Sequence, residues 1–405
     1  FLQLTAILLG TALITSSARA ANRIASVTGN WNSTVTWGGQ SVPIAGDDVT
    51  INDNITVTVN VAAECSSITF LSGSNGASLV FSGTNSLTVS GAIIMNGTSA
   101  TSGTHPTLIT IGTGLLSCGS LYFNPNASNR TSNNRRCQVT VSTGSLTVNG
   151  DITCSGAITG IGTTGISFSG AGTLNIGGSF YTAPATGTFT PGSASVTYDG
   201  AGAQAVFGTT YQNLILAGSG AKTVTGSTVN TKLSIQGTAT VAGASSGYGS
   251  GASLEYKGSA AQTTTDIEFP VSVNVDLIID NASGVTLNST KTLSGSLTLT
   301  NGVLYTSSSA HLDFPDGYKT VNGGSVSSYI DGPVRKIGND NGGFTFPVGR
   351  NGVYAPVTIS KMDNNSDIME CEYNRASAGA LGPIDASQTG QIDHLSNCEY
   401  WQLTK

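Results

Sequence analysis

Four carboxylates crowd one stretch of the chain, Asp266, Glu268, Asp276 and Asp280, and Lys257 and Lys291 flank them. Asp266 and Glu268 are one strand step apart, so an extended backbone would place both on the same face. Glycosidic cleavage needs an acid and a base or nucleophile about 5 to 10 Å apart, and elimination needs a base beside a cation. This cluster is the best enzyme signal in the sequence, yet solvated strand edges account for it more simply. Elsewhere the supply is thin: between Thr140 and Thr265 the only acids are Asp151, Asp199 and Glu255. His105, His311 and His394 fall in separate segments, without the nucleophile and acid that a hydrolytic triad requires. No catalytic residue is assigned, the expectation is a non-enzyme, and a β-helix polysaccharide lyase or hydrolase is the least favoured reading.

Metal and thiol chemistry are sparse as well. Asp363, Asn365 and Asp367 put oxygen side chains at alternate positions, as the first half of a calcium loop does, but the glycine and distant glutamate of that loop are missing. An Asx-rich turn is the first reading, with calcium the only cofactor the sequence suggests. Asp47 and Asp48 are a weaker instance. Six cysteines occur without a CxxC pair. Cys118 with Cys137 and Cys371 with Cys398 are the nearest disulfide pairs, while buried free thiols fit almost equally well. A net charge of -6 argues against nucleic acid as a partner, and the one tight basic group, Arg130, Arg135 and Arg136, sits among Asn and Ser without an aromatic platform.

The elements that must position these residues are strands. Charged residues are only 9% of the 405, glycine occurs 53 times, and apolar residues alternate with Ser, Thr and Asn at period two. Leu2 to Ile14 is apolar and too short to span a bilayer, and small residues precede Ala20. Residues 1–20 therefore read as a signal peptide whose start is missing, and no later segment is long and apolar enough for a membrane helix. A unit then recurs: Leu87-Thr-Val89, Leu146-Thr-Val148, Leu174-Asn-Ile176, Leu233-Ser-Ile235 and Leu297-Thr-Leu299, each followed by a turn residue that tolerates positive φ. A longer duplication matches Tyr198 and Gln204 with Tyr256 and Gln262, and Lys222 with Lys291. Such self-similarity means stacked units that bury their apolar faces on one another. The expected fold is all-β: a right-handed parallel β-helix over 21–325, of about 14 coils and roughly 65 Å at about 4.8 Å per coil, then an incomplete β-sandwich-like module over 326–405. A string of small antiparallel sandwiches is the competing architecture.

The opening Asn30-Trp31-Asn32-Ser33-Thr34-Val35-Thr36-Trp37, with Val42-Pro43 and Gly46-Asp47-Asp48-Val49, resembles the start of surface proteins from Bacteroidetes-type bacteria, and is similar to the start of the eight-glycine domain. Asn213-Leu214, Gly332-Pro333-Val334-Arg335-Lys336, Phe346-Pro347-Val348-Gly349 and Glu399-Tyr400-Trp401 resemble later parts of the same surface proteins. The resemblance implies a right-handed β-helix, a following β-rich module and export by the type IX route. That route's sorting domain is not seen before Lys405, so the sequence reads as truncated at both ends. Trp31 and Trp37 are read first as a cap on the open first coil, and second as a platform for pyranose rings. The function expected is a secreted or cell-surface, adhesin-like stalk that presents polar surfaces to glycans, cells or matrix. A non-catalytic carbohydrate-binding part of a larger polysaccharide-degrading enzyme is the alternative.

Overall fold

The computed structural model describes residues 20–98, 105–125, 136–155, 164–181, 187–317, 319–338, 342–381 and 395–405. The expected signal segment, apart from Ala20, lies outside them. Among the described residues the chain winds as parallel coils, and one sheet runs through them at fourteen successive levels, from Asn22–Ala25 to Val321–Gly323. At about 4.8 Å per level this sheet is roughly 60 Å long.

Its register explains the repeated Leu-x-Val unit. Leu116, Leu146, Leu174, Val196, Leu214 and Leu233 stack as one inward column, and Cys118, Val148, Ile176, Tyr198, Leu216 and Ile235 stack as the next. All twelve are buried. Because strand side chains alternate, a slip of one residue would turn both columns outward; the apolar columns therefore fix the register at every level. The expectation that Leu146, Val148, Leu174 and Ile176 share a core is met.

The corners show a different use of glycine from the one expected. Only Gly237 and Gly302 of the repeated units take positive φ, at 61° and 82°. At Gly91, Gly150 and Gly178 the demand is proximity: a Cβ would stand 2.9 Å from the Ser66 carbonyl oxygen, 2.7 Å from that of Gly119 and 2.4 Å from the Gly150 carbonyl carbon. Adjacent coils pack backbone on backbone there, and a side chain does not fit.

The other walls change along the molecule. A seven-stranded sheet, from Gly29–Asn30 to Thr188–Thr190, covers the first half. Gln204–Ala205, Ser219–Thr223 and the far end of Thr228–Ala242 then form a short parallel wall. Beyond it, new sheets begin at Gln262–Thr263 and Ser272–Val273.

The expected boundary at 325 is corrected. Ile330–Asp331 and Val334–Ile337 still stack parallel on the preceding coil, so the helix runs on past it. Ile330 and Val334 are inward and buried, which is what holds that last coil in register. Nor is the remainder a separate sandwich: Ile368–Asn374 and Tyr400–Thr404 add antiparallel strands to the same sheet that carries Val334–Ile337. Two short antiparallel pairs, Phe344–Phe346 with Val357–Ile359 and Gly349–Arg350 with Val353–Tyr354, lie between.

Replacing Leu174 by Ala leaves a void between two fully packed levels and should cost about 2 to 5 kcal/mol. Its outward neighbour Thr173→Ala should stay within about 0.5 kcal/mol. Denaturant unfolding of the two variants checks the assignment, and equal losses would contradict it.

Candidate functional site

The carboxylates singled out by their spacing do not converge. Asp266 and Glu268 lie in a tight turn, not on a strand, and their side chains part. Asp266 has a 60% exposed side chain and binds Lys291 Nζ at 2.5 Å, with Asn288 Nδ2 and Ser289 Oγ each donating to it at 3.0 Å. Glu268 is 1% exposed and points inward. Asp276 Oδ1 accepts from the Ser296 backbone N–H at 2.7 Å, and Asp280 pairs with Lys257 at 2.7 Å. Each carboxylate is thus committed to its own partner, so the expectation of one shared face for Asp266 and Glu268 is overturned by the turn that reverses the chain between them.

Glu268 instead stands at the wall of a cleft. Its Oε1 accepts from Tyr256 Oη at 2.9 Å and from the Thr265 N–H at 2.6 Å, and the Thr265 hydroxyl donates to Oε2. Tyr248 Oη donates to its backbone carbonyl at 2.6 Å. Burial drives the Tyr256 pKa well above the ordinary range, and the charge of Glu268 and the hydrogen bond to it raise it further, so this phenol stays a donor. The cleft measures about 400 Å³ and opens where the parallel wall breaks. Thr238–Ala242 pairs with Ser219–Thr223 on one side and with no described strand on the other, and the next wall starts only at Gln262–Thr263.

The hydrogen-bonding side chains that hold the coils around this break are the ones the duplication marked. Gln204 folds back within its coil: Oε1 accepts from the Gly200 N–H, and Nε2 donates to the carbonyls of Ile176 and Gly178 on the previous coil. Gln262 repeats the device with Gly258 and Ile235. Lys222, fully buried, donates to Gln204 Oε1 at 2.6 Å and to the Gly200 and Gly202 carbonyls at 2.8 and 3.0 Å, while burial lowers its pKa. Lys291 serves a neighbouring corner by donating to the Phe269 carbonyl at 2.5 Å. These matched pairs were visible in the sequence as a repeat; that their chemistry is capping of backbone carbonyls was not. His311 went unrecognised too: it is buried and bonds Asp313 at 2.6 Å, and desolvation raises the Asp313 pKa despite that contact. His394, Arg130 and Arg135 lie outside the described residues.

The remaining expectations divide. Trp31 and Trp37 are buried, edge to face at 5.1 Å, and Trp37 Nε1 donates to the Trp31 carbonyl at 2.7 Å. They close the first coils, and neither ring offers a face to a sugar, which corrects the platform reading. Of the calcium candidates, Asp363 pairs with Lys361 at 2.9 Å and Asp367 with Lys405 at 3.0 Å, so the two carboxylates serve different lysines. All six cysteines are free. Cys118 and Cys137 sit on different sheets, and Cys371 is buried while Cys398 is exposed, so neither expected disulfide forms. No protein-family profile, curated protein or solved structure matches this chain.

Two measurements check these assignments. The Lys291 hydrogen bond, then those of Asn288 and Ser289, hold Asp266 down to about 2 from an ordinary 3.8. Its contribution to stability is therefore complete above the ordinary value and is lost as pH falls through about 2. Carboxyl titration by NMR should show Asp266 returning toward 3.8 in Lys291→Met. Burial pushes Cys65, Cys118, Cys137 and Cys371 up to about 12 and Cys154 to about 11. A thiol reagent should consume Cys398 alone in the native protein and the other five only on unfolding. Rapid reaction of a second thiol would contradict the packing.

Proposed function

We propose that the protein is a secreted or cell-surface stalk, a rigid β-helical spacer that presents polar faces to glycans, neighbouring cells or matrix. The observation that carries this reading is the uninterrupted fourteen-level sheet, whose outward side chains form ladders in the same register as the core. Thr88, Ser117, Thr147, Asn175 and Thr197 follow one another along the rod. Neighbouring levels are tied side chain to side chain, with Thr173 donating to Ser145 at 2.8 Å and Asn175 to Thr147 at 3.3 Å. A rod held at every level resists bending, and a repeated hydroxyl and amide surface offers many weak contacts whose sum gives avidity. The committed partners of Asp266, Asp276 and Asp280 favour this reading over hydrolysis or elimination, because a carboxylate bound to its own lysine or backbone N–H is not poised for proton transfer.

The cleft beside Glu268 favours one second reading, that the stalk is the carbohydrate-binding part of a larger polysaccharide-degrading enzyme. A screen of neutral, amino and acidic polysaccharides tests both together. The purified chain should be retained on some of them and generate no new reducing or unsaturated ends. Turnover that vanishes in a folded Glu268→Gln or Asp266→Asn variant would overturn the stalk.

A further inference from the structure

The break in the wall has a composition that selects among sugars. Along one side the exposed Thr238 and Thr240 alternate with the inward Ala239 and Val241; along the other run Ala260, Ala261, Gln262 and Thr263. The buried Ile235, Tyr256 and Glu268 also line it. An apolar strip edged by hydroxyls and an amide matches a pyranose ring, which has apolar C–H faces and an equatorial rim of hydroxyls. The volume of about 400 Å³ falls in the range of small-molecule sites and admits one or two such rings.

Charge narrows the class further. Among the described residues no Lys, Arg or His lines the cleft, so none of them would pair there with a uronic carboxylate or a sulfate. Glu268 is the one carboxylate in the lining, and it forms no ion pair with a described residue; Lys257, its closest lysine in sequence, pairs with Asp280, and Lys291 is committed to Asp266 and the Phe269 carbonyl. Three donors satisfy the Glu268 carboxylate, and an ionised carboxylate accepts about four hydrogen bonds. A buried carboxylate without a cation is costly, and an ammonium group entering the cleft would relieve that cost.

We infer that this cleft is a subsite for a pyranose unit bearing an amino group, that it accepts neutral pyranoses more weakly, and that it excludes acidic ones. The inference rests on the glycan-presenting reading above and names the ligand class for one place on the rod. Calorimetric titration of the whole chain with glucosamine, glucose and galacturonate oligosaccharides tests it. The amino oligosaccharide should bind tightest, the neutral one about tenfold more weakly, and the acidic one not measurably. Ala261→Trp fills the exposed rim without changing charge and should abolish binding at an unchanged melting temperature. Glu268→Gln should lower the amino sugar to the level of the neutral one.

Tight binding of the acidic oligosaccharide would overturn the inference. So would amino-sugar binding that survives Ala261→Trp, since that places the ligand elsewhere on the rod, or arises from general attraction to an acidic protein; the stalk reading then stands. Binding of none of the three sugars overturns the subsite alone, because retention on other polysaccharides or cells is read in the separate screen.

Discussion

The structure depends on one constraint: each coil must lie on the last at the spacing of a parallel ladder, about 4.8 Å, with its apolar side chains directly above those below. Parallel pairing gives every inward position two like neighbours, so columns such as Leu146, Leu174, Val196 and Leu214 form without any long-range matching of shapes. A polar residue in such a column would be stacked against apolar ones on both sides. The same geometry leaves little room at the corners, where glycine lets backbones meet. It also leaves backbone carbonyls exposed to the interior, and Gln204, Gln262, Lys222 and Lys291 are spent on them.

This use of long polar side chains explains how a chain with so few charges distributes them. Lys222, Lys291 and Lys336 are fully buried and donate to backbone carbonyls at turns, among them those of Gly200, Phe269 and Pro315. Arg350 gathers Asp331, Glu372 and Asn374 at 2.8, 2.7 and 2.6 Å, joining the last parallel coil to the antiparallel strand that covers it. The cleft lies where the arrangement changes, after the wall containing Thr238–Ala242 stops and before the next begins. The cleft thus sits at a discontinuity in an otherwise repetitive scaffold.

Most of the scaffold was legible in the sequence, because period-two alternation and the Leu-x-Val unit follow directly from stacking. Leu174 and Ile176 could be assigned to the core from spacing alone, and Trp31 and Trp37 to a cap. The site was much less legible. Whether Asp266 and Glu268 share a face depends on whether the backbone between them is extended or turning, and two residues of sequence do not decide that. The disulfide pairs failed for a related reason: closeness along the chain carries little weight in a solenoid, where neighbours in space are one coil apart. The helix runs past the expected end at 325 because Ile330 and Val334 continue the inward pattern beyond it.

Distances between spin labels on one outward column test the stacking most directly. Thr88, Thr197 and Thr298 occupy the same column, with Thr88 and Thr197 four levels apart and Thr88 and Thr298 nine levels apart. With Cys398 replaced by Ser, cysteine pairs at these sites should give narrow distributions near 19 and 43 Å, from about 4.8 Å per level. Distances that fail to grow with the number of levels, as in a string of antiparallel sandwiches, would contradict the coil.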